Sequence, residues 1–499
     1  MVSSQAMPIL QDFSFDFPRQ CLHWIHNAEV PSELLVDKYN PASGLVLTQL
    51  ARGSRVEANL AIEAAEQAWE NWSQTPVISR ANLLREATLL MTDRQNEIAQ
   101  IIALETGRSL KDALGEVGAA IEQGFFMSGE GRRYFGRTTT SAMPNRSAMT
   151  LRQPVGVCAL IVAANTPIAN VTWKAFPALL CGNTVVMKAS EDTPYTPVWF
   201  ARILKEVGLP AGVFNVVQGL GEEAGAPLVE DERVDLVSFT GSVSVGRWIQ
   251  KTAGERLAKV CLELGGKNAM VVCEDADLEN AAQMALLSAF SNAGQRCASG
   301  SRIVVLDSVY EAFKTRLLEK TKAFRMGVSE SDDAGPVINE AQLNHMLQAV
   351  QQAKAEGATV LIGGERMRDE AHGGGYYMAP TILENVSPDA AISMEELFGP
   401  ITTLYRVSSF AEAVALNNRS NMGLTAAIHT ANMHRVQRFI ELSRTGVVSV
   451  NGPTYGSEPH MPFGGLKNSG NGWREPGPEA LDVYSEVKTV YIKYDPALV

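Results

Sequence analysis

The spacing of hydrophobic positions changes along this chain. From Val56 to Leu104 apolar residues recur three and four apart among Ala, Glu and Leu, which predicts helix. A second helical stretch runs from Leu110 to Tyr134, after Gly107. Ahead of them, residues 39–48 predict a turn feeding a strand. Residues 137–153 shift to alternating apolar positions among Thr, Ser and Arg, which predicts a hairpin.

Beyond residue 154 short apolar runs alternate with helical ones. The predicted order is strand Val155–Val162, helix Pro167–Leu180, strand Thr184–Lys188, and helix Pro194–Val207 capped by Gly208. Strands Val213–Val217 and Asp235–Phe239 and helix Val243–Ala253 follow. The alternation resumes with Asn268–Cys273, Leu278–Ser291, Ser301–Val305 and Val309–Arg325, and Lys488–Lys493 predicts a closing strand. Strands separated by single helices imply βαβ units and a parallel sheet, so the fold class is α/β with two such bodies. There is no internal repeat and no low-complexity linker. A length of 499 residues suits two or three domains.

Composition narrows the function. Hydrophobic residues make up 45% and charged residues 20%, as in a globular protein. No apolar run approaches the roughly 18 residues of a membrane span. The first 18 residues lack the basic and apolar regions of a secretory signal, so a cytoplasmic location is expected. The net charge of −12 comes without a basic tract, so no nucleic-acid partner is expected. The six cysteines include no CxxC pair and suggest no disulfide framework. His23 and His26 have no carboxylate cluster beside them, and no metal site is expected.

Several runs carry candidate chemistry. Cys297 lies in a polar, Gly-containing loop, whereas Cys158, Cys181, Cys261 and Cys273 lie in apolar runs and read as buried hydrophobes. Glu263 ends the apolar run Val260-Cys261-Leu262; a carboxylate there is expensive to bury unless used or paired. A thiol and a carboxylate make a nucleophile and a base. Asn165 follows a strand, where its amide suits either an oxyanion or a helix N-cap. Lys188 and Glu191, just past a strand, suit either a ribose clamp or a solvated loop. The run Phe239–Gly246, with Gly241, Ser242 and Gly246, suits either a phosphate site or an ordinary N-cap. The cluster Gly219–Gly225 has GxGxxxG spacing and two glutamates, and reads as a plain strand-to-helix turn. No GxSxG or Walker-type run occurs, while a paired-carboxylate glycosidase is left open by composition.

Taken in order, these runs resemble the aldehyde dehydrogenase superfamily. The matching runs are Val186–Glu191, Leu209–Val217, Phe239–Gly246, Leu262–Lys267, Gly294–Cys297, Glu395–Pro400 and Pro462–Gly470, within about Tyr39 to Lys493. The resemblance implies an N-terminal extension (1–38) and a Rossmann-like NAD-binding domain (39–137 and 154–262). It further implies an α/β catalytic domain (263–474) and a small β oligomerisation element (138–153 and 475–499). It implies a homodimer or homotetramer acting on a small aldehyde.

By motif position, Cys297 resembles the nucleophile and Glu263 the base. Asn165 with the Cys297 N–H resembles the oxyanion hole, and Lys174 the family's lysine near the catalytic centre. Lys188 and Glu191 would hold the adenosine ribose, and Gly241 and Ser242 the pyrophosphate; Gly246 and Leu264 are further cofactor-binding candidates. Glu396 would hold the nicotinamide ribose beside Phe398. Thr166, Asn170, Tyr455, Ser457 and Phe463 are the substrate-pocket candidates.

The implied activity is NAD-dependent oxidation to the free acid by hydride transfer and thioester hydrolysis. The carboxylate at 263 disfavours the coenzyme A-acylating subclass. The alternatives are an NADP-preferring variant and a semialdehyde dehydrogenase for an acidic aldehyde such as α-ketoglutarate semialdehyde. The polar loop 451–461 leans toward semialdehyde-type members, although no arginine is placed in the pocket. Esterase activity and a non-catalytic, crystallin-like role are the remaining alternatives; the latter would have lost Cys297, Glu263 or Asn165.

Overall fold

The structure is a computed structural model that describes residues 14–498. Its first large sheet has seven strands in the order Lys259–Leu264, Leu236–Gly241, Val157–Ile161, Thr184–Lys188, Phe214–Val217, His23–Ile25 and Ala28–Val30. The first five are parallel, and the last two form an antiparallel edge. Side chains alternate between faces with the pleat. Val157 and Ala159 therefore pack under the helices Arg55–Gln74 and Val243–Glu255, while Cys158 and Leu160 pack under Pro167–Leu180 and Tyr195–Glu206. Burial on both faces explains why these strands read as unbroken apolar runs.

The second sheet also has seven strands: Thr359–Ile362, Thr381–Glu384, Ile401–Val407, Gly300–Leu306, Asn268–Val272, Thr425–His429 and Val447–Val450. Only the first is antiparallel to its neighbour. A third, antiparallel sheet joins Thr138–Thr140, Arg146–Pro154 and Ser485–Lys493, in register from Ser485 opposite Pro154 to Lys493 opposite Arg146. Among the described residues, no helix is long and apolar enough to cross a membrane.

The predicted alternation matches the strands and helices closely, with Pro167–Leu180 and Thr184–Lys188 reproduced end to end. Two differences have physical causes. The predicted helix Val56–Leu104 is three helices, Arg55–Gln74, Val77–Asp93 and Gln95–Thr106. Thr75 precedes Pro76 and is pushed to an extended ψ of 129°, because the proline ring disfavours helical backbone before it. Residues 23–30, which carry no local strand signal, supply two strands of the first sheet: His23–Ile25 pairs with Phe214–Val217, and Ala28–Val30 pairs with His23–Ile25.

The Gly219–Gly225 cluster forms one wide helical turn leading into Ala226–Glu230. Glu223 there pairs with Arg52 at 2.5 Å.

Candidate active site

The candidate residues gather where the C-terminal ends of the first sheet's strands meet the N-terminal ends of the second sheet's strands. Lys188, Gly241 and Glu263 lie at or beside the ends of three parallel strands, and Asn165 follows a fourth. Cys297 precedes Gly300–Leu306, and Glu396 precedes Ile401–Val407. Open parallel sheets bind ligands beyond the carboxyl ends of their strands.

The loop that carries Cys297 is locally strained. Asn292, Ala293 and Gly294 have φ of 53°, 51° and 68° in succession. For the two non-glycine residues this left-handed backbone costs of order 1–3 kcal/mol each. The surroundings hold it in place. Asn268 Nδ2 donates to the carbonyls of Cys297 and Ser299 at 2.8 and 2.9 Å. Gln295 donates to Pro336 O at 3.1 Å and accepts from Ile338 N at 2.8 Å. Ser299 Oγ donates to Gly294 O at 3.0 Å. A Cβ on Gly294 would collide with the Gly399 carbonyl, and one on Gly266 with the Cys297 carbonyl. Cys297 is half-buried, whereas the other five cysteines are buried. Burial, with the charges of Glu396 and Glu263, pushes its thiol up to about 12.

Glu263 is 6% exposed, and neither carboxyl oxygen has a hydrogen-bond partner. The run Pro462–Gly470 folds over it. Leu264 N donates to Ser469 O at 3.0 Å, Ser469 Oγ donates to Gly265 O at 2.7 Å, and a Cβ on Gly464 would lie 2.6 Å from Glu263 Oε1. Burial first, then the nearby Glu475 carboxylate, pushes Glu263 well above the usual carboxylate range; Lys174 and Arg474 oppose this. Lys174 is itself buried and donates to Glu475 Oε2 and Ser238 Oγ, both at 2.7 Å. Tyr484 donates to the other Glu475 oxygen at 2.5 Å. Lys174 thus acts on Glu263 through its field, with its contacts going to Glu475 and Ser238.

Asn165 does not cap the helix that follows it. Glu116 Oε1 accepts from the N–H groups of Ile168 and Ala169 at 2.9 and 3.2 Å, while its other oxygen pairs with Arg108. The Asn165 amide is therefore turned to the thiol loop. Its Nδ2 donates to Gln295 O at 3.0 Å, and its Oδ1 accepts from Asn170 at 3.2 Å. Asn292 donates to the Asn165 carbonyl at 3.2 Å, tying the two loops together.

The cofactor candidates are spread along the same edge. Lys188 is buried and pairs with Glu191 at 2.8 Å, whose side chain remains half-exposed. Burial alone would raise Glu191, but the Lys188 charge and hydrogen bond outweigh it and hold the carboxyl low. Ser242 caps the helix Val243–Glu255, accepting from Val245 N at 3.4 Å. Gly246 packs against Leu264, where a Cβ would lie 2.6 Å from its Cδ2. Gly241 packs against the Phe239 ring. Glu396 Oε1 accepts from Gly266 N at 2.9 Å, and a Cβ on Gly265 would overlap its other oxygen. Burial lifts Glu396 to about 7. Phe398, half-buried, has φ of 56°. These carboxylates, a helix N-terminus and a glycine cradle fit two ribose units joined by a pyrophosphate.

Of the pocket candidates, Tyr455 and Phe463 pack in one cluster with Cys297 and Trp173. The Trp173 and Phe463 rings lie 5.7 Å apart. Thr166 and Asn170 lie on the Asn165 side, where Asn170 donates to Thr166 Oγ1 at 3.1 Å. Ser457 is exposed. The wall near the thiol is thus more aromatic than the polar loop 451–461 suggested, because Trp173 comes from a different element. Trp173, Asn268, Glu475 and Arg296 are functional neighbours that the sequence motifs do not mark. Only Arg296 carried a local signal, a charge abutting the thiol.

A sequence model of the Aldehyde dehydrogenase family matches residues 24–490. The chain is 38% identical over 477 residues to the α-ketoglutaric semialdehyde dehydrogenase of Bacillus subtilis, covering 95% of this chain and 98% of the relative. Its fold is similar to that of the betaine aldehyde dehydrogenase of Staphylococcus aureus in complex with NAD+, with a TM-score of 0.93, 32% identity and 95% of each chain covered. An NADP-dependent enzyme of Escherichia coli superposes with a TM-score of 0.91 and 34% identity, over 95% of this chain and 98% of that one.

Proposed function

This chain belongs to the aldehyde dehydrogenase family, and from that premise we propose that it oxidises an aldehyde to the free carboxylic acid with NAD, through Cys297 and Glu263. The observation that carries the reading is one half-exposed thiol beside a buried carboxyl without a hydrogen-bond partner.

The Cys297 sulfur attacks the aldehyde carbon, forming a C–S bond and an oxyanion. The Asn165 amide and the Cys297 N–H donate to that oxyanion; each such donor is worth about 2.7–4 kcal/mol. Burial keeps the thiol protonated at neutral pH, so it must lose its proton to a base as the bond forms. Glu263 is that base, and the same burial that raises its pKa makes its carboxylate a stronger acceptor than a solvated glutamate. Bound NAD supplies the hydride acceptor. Lys188 and Glu191 would hold its adenosine ribose. Gly241 and Ser242 would face its pyrophosphate, with Gly246 and Leu264 beside them. Glu396 and Phe398 would flank its nicotinamide ribose.

With the hydride gone, Cys297 carries a thioester. Glu263, having passed the thiol's proton to solvent, removes a proton from water; the hydroxyl adds to the thioester carbon, and the C–S bond breaks to release the acid and the thiolate. Lys174 and Glu475 neutralise each other and set the field around Glu263.

In this reading residues 39–137 and 154–262 hold the cofactor and 263–474 carry the thiol. Residues 138–153 and 475–499 join copies into a homodimer or homotetramer. Six free thiols accord with a cytoplasmic location.

The test is NADH absorbance over a panel of aldehydes. Cys297→Ala should lose oxidation entirely; unchanged turnover overturns the reading. Release of an acyl-thioester in place of acid on adding coenzyme A overturns the hydrolytic half.

A further inference from the structure

Arg296 directly precedes the thiol, and its guanidinium is held in place with most of its donors unused. Its Nη1 donates to Ser291 Oγ at 2.5 Å, and its guanidinium carbon sits 4.6 Å from the centre of the Tyr455 ring. Its backbone N–H donates to Ser299 Oγ at 3.2 Å, so the strained thiol loop fixes the residue at its base as well. A guanidinium carries five N–H donors, and one is engaged here.

The buried arginines contrast with it. Arg302 gives four hydrogen bonds to the carbonyls of Lys267, Leu416 and Asn417. Arg80 gives its donors to the carbonyls of Ser73, Thr75 and Leu180. Arg108 is paired with Glu116. Among the described residues Arg296 forms no ion pair. The charges around it do not answer it: Glu116 is committed to Arg108 and to two helix N–H groups, and Asp112 lies outside ion-pair distance. A half-buried cation without an anion costs free energy unless a ligand supplies one.

Tyr455, which the guanidinium overlies, shares its cluster with Cys297, Trp173 and Phe463. The pocket wall therefore runs from the reacting sulfur across aromatic rings to a fixed, under-used fork of donors. We infer that Arg296 anchors the carboxylate of the substrate, so that this site prefers an aldehyde bearing a carboxylate at the far end of a short chain. The guanidinium matches a carboxylate bidentately, while the aromatic wall covers the methylenes between.

The inference rests on the proposed aldehyde oxidation, and the test separates the two. The full-length protein is assayed with 5-oxopentanoate and with pentanal, its neutral counterpart of equal length. The quantity read is the ratio of their kcat/KM values. The wild type should favour 5-oxopentanoate, and Arg296→Met should lower the ratio about 10- to 100-fold. Arg296→Lys should keep part of it, since the charge remains and the fork is lost. An unchanged ratio in both variants overturns the anchor, even if overall rates fall, because a residue that only supports the thiol loop would slow both substrates alike.

Glutarate binding, read as a rise in Tm, gives a second measure that needs no turnover. Glutarate should raise the Tm of the wild type and not of Arg296→Met. An equal rise in both overturns the anchor. If glutarate binding depends on Arg296 while no aldehyde is oxidised, the anchor stands and the oxidation reading falls.

Discussion

Glu263 shows at the scale of one residue how function opposes stability. A carboxyl buried without a partner is costly to ionise in the folded state. Its folded pKa is raised, so the stability it contributes is present below the ordinary carboxylate range and lost as pH rises through the folded value. Glu263→Gln removes that loss. The variant should therefore have a higher Tm than the wild type, with a gap that widens from pH 5 to pH 9 in thermal melts; a constant gap would contradict the linkage. The same variant lacks the base for both proton transfers, so NADH formation should slow in the first turnover as well as in later ones, read by stopped-flow absorbance.

Glu191 bears on cofactor choice. A half-exposed carboxylate held ionised by Lys188 should accept from a ribose 2′-OH and repel a 2′-phosphate. Glu191→Gln should lower the NAD-over-NADP ratio of kcat/KM about tenfold or more. Much of this was legible: Cys297 stood out by its polar neighbours and Glu263 by a charge ending an apolar run. Arg296 carries only a local charge next to the thiol. Its unused donors depend on what Ser291, Tyr455 and Glu116 do with theirs, and those residues come from separate segments.

Among elements, local signals were the readable ones. The strand Thr184–Lys188 and the helix Pro167–Leu180 are set by their own apolar runs and a proline at the helix start. The strands at 23–30 were not readable, because they are short and gain their pairing from Phe214–Val217, far along the chain. The thiol loop lies between these cases. Gly294 signals a special backbone, but the left-handed Asn292 and Ala293 before it are imposed by tertiary contacts. Gly294→Ala tests how far the loop sets the chemistry. The substitution meets both a φ of 68° and the Gly399 carbonyl, so the loop must shift. Misplacement near a reacting atom can cost about 10²-fold in rate. The expected result is a kcat lowered by about that factor, with the fold, read by circular dichroism, retained. Full activity in this variant would show that the loop geometry is not needed.

For the molecule as a whole, the site lies between the two large sheets, and the last strand belongs to a third. The site uses strand ends from both large sheets, whereas Ser485–Lys493 forms the outer edge of the third sheet. That edge exposes Val487, Tyr491 and Ile492 at 62%, 58% and 47%. A long edge strand with unpaired backbone and exposed apolar side chains invites pairing with another chain. Tyr484, just before it, is buried and bonded to Glu475, so the strand begins where the network around Glu263 ends. Deleting residues 487–499 leaves Tyr484 in place and removes most of the pairing surface. Sedimentation velocity should then show the oligomer reduced toward a single copy. If mass is unchanged, this edge does not join copies. If mass falls while kcat holds, the site is complete within one chain, as its composition from one chain's residues requires.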